Sequence, residues 1–171
     1  MLRILNKIFK TGIVTEAPPG DASLEALGIE LKRVVDRRMR GSFAIRTVDA
    51  GSCNGCELEV KALNNPFYDI ERFGVHFVAS PRHADALLVT GPVSRHMVAA
   101  LERTYAATPA PKWVIATGSC AVDGGEFRDS YATLGGVARV LPVDLVIPGC
   151  PPAPTALLQG LLALLRTPDQ R

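Results

Sequence analysis

The 171-residue sequence predicts an α/β fold, a doubly wound parallel sheet with helices on both faces. Three observations carry that expectation. Short runs rich in Val, Ile and Leu recur along the chain: "FAIRTVDA", "VHFVAS", "ALLVTG", "KWVIATG" and "LVIPG". Segments of helical period separate most of them, which is the alternation of a parallel sheet covered on both sides. Four of these five runs, all but "VHFVAS", end in or lead straight into a glycine, as connections of such sheets often do.

The elements follow in order. Met1–Lys10 places Leu2, Leu5, Ile8 and Phe9 at helical spacing with Arg3, Lys7 and Lys10 around them, a short amphipathic helix. It would pack on its own domain, on a partner, or on an anionic membrane surface. "TEAPPGD" then breaks the chain. Ser23–Met39 reads as a helix with Ser23 as N-cap and a stripe of Leu24, Leu27, Leu31, Val34 and Val35. "FAIRTVDA" is a strand, the turn "SCNGC" follows it directly, and Glu57–Leu63 continues as a helix. After the strands "VHFVAS" and "ALLVTG", Ser94–Tyr105 is a helix capped by Ser94, with Val98, Leu101 and Tyr105 on one side. "KWVIATG" and "LVIPG" are strands, and "PAPTALLQGLLALL" is a last helix with prolines at its first turn, where a missing N–H costs little. The organisation is thus an N-terminal arm and helix, residues 1–41, followed by a sheet domain, residues 42–171, with no internal repeat.

Composition narrows the function. The chain is 47% hydrophobic with a mean hydropathy of +0.17, so either its core is large or a partner covers part of its surface. A net charge of +2 is too small for a nucleic-acid binder. The charge is uneven: residues 1–40 hold eight Lys/Arg against five Asp/Glu, and the remainder eleven against twelve. No run reaches the roughly 18 to 20 apolar residues of a membrane span. "MLRILNKIFK" lacks the apolar core and cleavage site of a signal peptide, and a twin-arginine pair, so the expectation is a chain retained in the cytoplasm. Cysteines kept reduced there more often bind metal than pair as disulfides.

Each of the four cysteines falls where a strand ends. Cys53 and Cys56 follow "IRTVDAGS", Cys120 follows "WVIATGS", and Cys150 follows "LVIPG". Loops at the carboxyl ends of parallel strands converge on one edge, so these residues can meet in space. Four thiolates suit either zinc or a 4Fe–4S cluster. Zinc ribbons usually use two CxxC knuckles. Here one CxxC is followed by two lone cysteines, 64 and 30 positions further on, which favours a cluster. A thioredoxin-like CxxC would leave Cys120 and Cys150 unexplained. Four cysteines that merely pack as small hydrophobes would not all sit in glycine-flanked loops. A cluster held by four thiolates would be a one-electron relay without an open coordination site.

"SCNGCELEV", "NPFYDIERFGVHFVASPRHADALLVTGPV", "VIATGSCAVDGG" and "RVLPVDLVIPGCPPAPTALLQGLLALL" together resemble the small subunit of nickel–iron hydrogenases and its relative, the 20 kDa (B) subunit of respiratory complex I. The complex I subunit typically carries two adjacent cysteines at the first ligand position. The two-residue gap between Cys53 and Cys56 is similar to the hydrogenase branch instead. The resemblance is to the membrane-associated, complex-I-like hydrogenases, of formate hydrogenlyase and energy-converting type. It implies a flavodoxin-like fold with one 4Fe–4S cluster at the carboxyl edge of the strands, ligated by Cys53, Cys56, Cys120 and Cys150. It implies a nickel–iron large subunit, a ferredoxin-like iron–sulfur subunit and integral membrane subunits as partners, on the cytoplasmic side of the membrane. Such a chain belongs to an oxidoreductase but is not catalytic alone. The alternatives are the B subunit of a complex-I-like NADH/quinone oxidoreductase and a zinc-stabilised interaction module without redox function.

Other residues carry lighter expectations. Glu57 would relay protons beside the cluster, or simply suit the first turn of its helix. Asp69, Glu71 and Arg72 would face the large subunit, or form local ion pairs on a solvated turn. His76, His83 and His96 stand at no ligand-like spacing, and Trp113 is strand core.

Overall fold

A computed structural model describes residues 2–12 and 22–167. The break expected at "TEAPPGD" lies outside the described residues. Among the described residues, six helices and five strands follow in the order α1 (Leu2–Thr11), α2 (Ala22–Met39), β1 (Phe43–Asp49), α3 (Gly55–Ala62), β2 (Val75–Phe77), β3 (Ala86–Thr90), α4 (Val98–Ala107), β4 (Trp113–Thr117), α5 (Ser119–Asp123), β5 (Leu145–Ile147) and α6 (Pro154–Arg166). Short 3-10 turns fill several of the connections.

The strands form one sheet in the order β2-β1-β3-β4-β5, and every neighbouring pair is parallel. That is the flavodoxin-like order, whose reversal of direction lies between β1 and β3. Side chains alternate between the two faces. Phe43, Ile45, Leu88 and Ile115 join one core with Leu31 and Val35 of α2, Val60 of α3 and the leucines of α6. Leu87, Val89, Val114 and Ala116 join a second with Leu101 of α4 and Ala121 of α5. Helices therefore cover both faces, and β3, at the centre, is buried along its whole length. The helix stripe read from residues 24–35 points into the first core, with Leu27 and Val34 half-buried at its rim. α2 thus shares a core with the sheet, while α1 buries none of its side chains.

Several element boundaries differ from the sequence reading. α2 already runs at Ala22, so Ser23 lies inside the helix. α4 begins at Val98, four residues after the expected cap. The Ser94 N–H donates to the Ala50 carbonyl at 2.8 Å and Ser94 bridges Thr133, so Ser94 ties a loop to the end of β1 instead of starting a helix. β2 is only three residues long and pairs β1 from Phe43 to Ile45, leaving Arg46–Asp49 beyond its reach. Among the described residues, no helix is long and apolar enough to cross a membrane.

Candidate metal centre

The end of β1 is shaped by Asp49. Its Oδ1 accepts hydrogen bonds from the N–H groups of Gly51 and Ser52 at 2.8 and 2.7 Å. Ser52 Oγ in turn accepts from the Asn54 N–H at 3.1 Å. These side chains substitute for backbone partners and fold the chain into a tight turn. Asn54 takes a left-handed conformation, φ 71°, which asparagine tolerates better than most residues. α3 then starts at Gly55, placing Cys53 just before the helix and Cys56 in its first turn. Asp49 went unremarked in the sequence, although an aspartate two residues ahead of a glycine after a strand is a recognisable turn signal.

The other two cysteine loops are tied to each other. The Gly118 N–H donates to the Ile147 carbonyl at 2.8 Å, and the Ser119 N–H to that of Gly149 at 2.7 Å. Ser119 Oγ also donates to Gly149, at 3.1 Å. Cys120 sits in the short helix α5, not in an open loop as the sequence suggested. Gly91, following β3, packs so closely beneath Ser52 that a Cβ there would lie 2.6 Å from the Ser52 nitrogen. The carboxyl ends of β1, β3, β4 and β5 therefore close on one place.

That place is a cavity of about 100 Å³ lined by all four cysteines. Cys120 is buried, Cys56 half-buried, and Cys53 and Cys150 are exposed. A Cβ on Gly118 would stand 2.4 Å from Cys56 Sγ, and one on Gly125 2.9 Å from Cys120 Sγ, so both glycines make room for sulfur.

The thiols feel one another. Burial pushes Cys56 up from the ordinary 9.0 to about 11, and the negative charges of Glu57 and of the three other cysteines push the same way. A first-turn position would by itself favour the thiolate; here desolvation and like charge prevail. Cys120 is also raised, chiefly by burial, while a hydrogen bond from the Glu126 backbone opposes the rise. A bound metal group would reverse this balance, because its positive charge would stabilise the thiolates.

Among the described residues, no three His, Cys, Asp or Glu side chains converge closely enough to share one metal ion. A single tetrahedral zinc would draw its sulfurs to about 3.8 Å from each other. Four cysteines lining one cavity are a donor set known both for a tetrahedral metal ion and for an iron–sulfur cluster.

The remaining sequence candidates are placed less tightly. Both carboxylate oxygens of Glu57 are buried without a hydrogen-bond partner. They border a second cavity, about 270 Å³, with Arg46, Asp49, Lys61 and Thr90. Arg72 is engaged within the chain: its Nη2 lies 2.6 Å from Glu25 Oε2, its Nε 3.9 Å from Asp69, and its guanidinium 4.5 Å from the Phe73 ring centroid. Glu71 is exposed. None of His76, His83 and His96 lines the cysteine cavity. Trp113 opens β4 and meets Phe43 edge-to-face at 5.9 Å.

Comparison with known proteins gives the family and the fold. Residues 53–164 match the family model described as NADH ubiquinone oxidoreductase, 20 kDa subunit. Formate hydrogenlyase subunit 7 of Escherichia coli is 43% identical over 141 residues, covering 82% of this chain; the chain spans 55% of that relative's length. A probable membrane-bound hydrogenase subunit of Pyrococcus furiosus is 50% identical over 118 residues, covering 69% of this chain and 71% of the relative. Among solved structures, a chain of the archaeal membrane-bound sulfane sulfur reductase superposes with a TM-score of 0.66 at 34% identity, covering 77% of this chain and 73% of that one. A chain of an NAD+-reducing nickel–iron hydrogenase shares the fold, with a TM-score of 0.58 at 20% identity over 76% of this chain and 96% of that one.

Proposed function

The chain belongs to the family of the NADH ubiquinone oxidoreductase 20 kDa subunit, and we propose that it is the electron-transfer subunit of a membrane-associated nickel–iron hydrogenase. In this reading Cys53, Cys56, Cys120 and Cys150 hold one 4Fe–4S cluster. The observation that carries it is the one cavity lined by all four cysteines, which come from three separate strand-end segments. A bound cluster of this kind supplies one-electron transfer. The protein contributes the rest. Gly91 and Gly118 let the loops approach closely. Ser119 fixes the Cys150 loop, and the buried side of the cavity excludes water from Cys120. Glu57, with both oxygens buried and unpartnered one residue from Cys56, is the proton-handling group of this reading.

The partners follow as part of the same proposal. A nickel–iron large subunit lies on one side, a ferredoxin-like iron–sulfur subunit on another, and integral membrane subunits anchor the assembly on the cytoplasmic face. Asp69, Glu71 and Arg72 are proposed to meet the large subunit through Glu71 and the outer edge of the Arg72 pair.

The test is made on the native complex, purified anaerobically with whatever copurifies. Hydrogen-dependent dye reduction is assayed beside nickel, iron and sulfide content. Nickel with hydrogen activity, lost in a Cys120→Ser variant that still assembles, is the expected result. Glu57→Gln should keep iron and sulfide but move the pH profile of dye reduction. Iron and sulfide without nickel would point to a quinone oxidoreductase or sulfur reductase of the same family. Zinc alone would overturn the electron-relay reading.

A further inference from the structure

α1 is set apart from every other α-helix among the described residues because nothing in it is buried. Leu2 and Phe9 are each 84% exposed, and Ile4, Leu5 and Ile8 are also open to solvent. An isolated helix of ten residues falls below the roughly 12 to 15 at which helices hold in water. A helix this short is stabilised when its apolar face is covered by a surface outside the described domain.

The helix carries the description of that surface. At about 100° per residue, the five apolar side chains fall within an arc of about 160°. Arg3, Asn6, Lys7, Lys10 and Thr11 take the other half without a single exception. The charged residues of α1 are three cations and no anion.

We propose that α1 is an interfacial anchor that lies in the plane of an anionic lipid surface. Its apolar arc sinks to the acyl boundary, and Arg3, Lys7 and Lys10 rest on headgroup phosphates. A protein groove would need acidic groups placed in register with three lysine and arginine side chains, and lysine is a residue that protein interfaces avoid. An anionic bilayer offers negative charge everywhere and requires no register. About 15 Å long, the helix cannot span a bilayer, so it lies on one. This inference stands independently of the cysteine site.

The experiment is vesicle cosedimentation of the full chain, with vesicles of phosphatidylcholine alone or mixed with phosphatidylglycerol. Binding to the anionic vesicles should exceed binding to the neutral ones by about tenfold or more. It should weaken as salt rises from about 0.1 to 0.5 M. Ile8→Asp should abolish binding to both vesicle types, and Lys7→Glu with Lys10→Glu should remove the preference for the anionic ones. Because α1 buries nothing, both variants should keep the wild-type thermal midpoint. Equal sedimentation of wild type and Ile8→Asp would overturn the proposal. So would a wild type that binds neither vesicle while Ile8→Asp strips a protein subunit from the native complex; α1 would then be a protein-docking helix.

Discussion

Gly118 shows how much of the site rests on one missing side chain. Its φ of 87° and ψ of 153° fall in a region that only glycine enters freely, and Cys56 Sγ occupies the space a Cβ would claim. Gly118→Ala should therefore cost about 2 to 4 kcal/mol from backbone strain and overpacking together. A urea midpoint lowered to match, with faster alkylation of the displaced Cys56, is the expected result; an unchanged midpoint would show that the turn yields. Cys56 also sets a pH dependence for the metal-free chain. Its folded value of about 11 exceeds the ordinary 9.0, so the folded state holds this proton where the unfolded state releases it. The stability it lends is complete below pH 9 and is lost as pH rises through 11, with Cys120 pulling in the same direction. Thermal midpoints of the metal-free protein should fall over that window, and Cys56→Ala should flatten the fall.

At the scale of elements, α6 is the member that binds the sheet to α2. Leu157, Leu158, Leu161 and Leu165 are buried on the same core as Leu31 and Val35, and Arg38 of α2 donates to the Leu165 carbonyl at 2.6 Å. Arg166 pairs with Glu30 at 2.9 Å, which holds the Glu30 carboxyl below the usual range, but the pair is exposed and contributes little. Gly160 admits Ile147 of β5, since a Cβ there would lie 2.6 Å from Ile147 Cδ1. The load is therefore carried by packing. Leu161→Ala should cost about 2 to 5 kcal/mol by leaving a cavity under the sheet. Chemical denaturation should register that loss while the alkylation rates of the four cysteines in the folded protein stay unchanged, because Leu161 lies outside their cavity. Altered cysteine reactivity in that variant would mean that α6 also positions the Cys150 loop.

Over the whole molecule, the sheet and its strand-end site were legible because both depend on local pattern. Apolar runs such as "ALLVTG" announce buried strands, and a CxxC directly after a strand announces a loop at the carboxyl edge. What escaped notice depends on tertiary contacts. Ser94 looks like a cap until the Ala50 carbonyl claims its N–H. α5 is five residues long, too short for periodicity to reveal. Arg72 reads as an interface charge or as part of a local ion pair, and sequence spacing gives no hint of Glu25, 47 positions earlier, beside it.

The cavity assembled from three loops has a consequence in time. Cys53 is synthesised 97 residues before Cys150. At ordinary elongation rates that interval is about 5 to 20 s. β5, which completes the sheet, is also made after the first three sulfurs. The early pair must wait through that interval as bare thiols, without the neighbours that enclose them in the finished fold. In the proposed reading, a cofactor held by all four sulfurs can be completed only once Cys150 has been made, and any agent that captures Cys53 and Cys56 sooner would trap the site half-made.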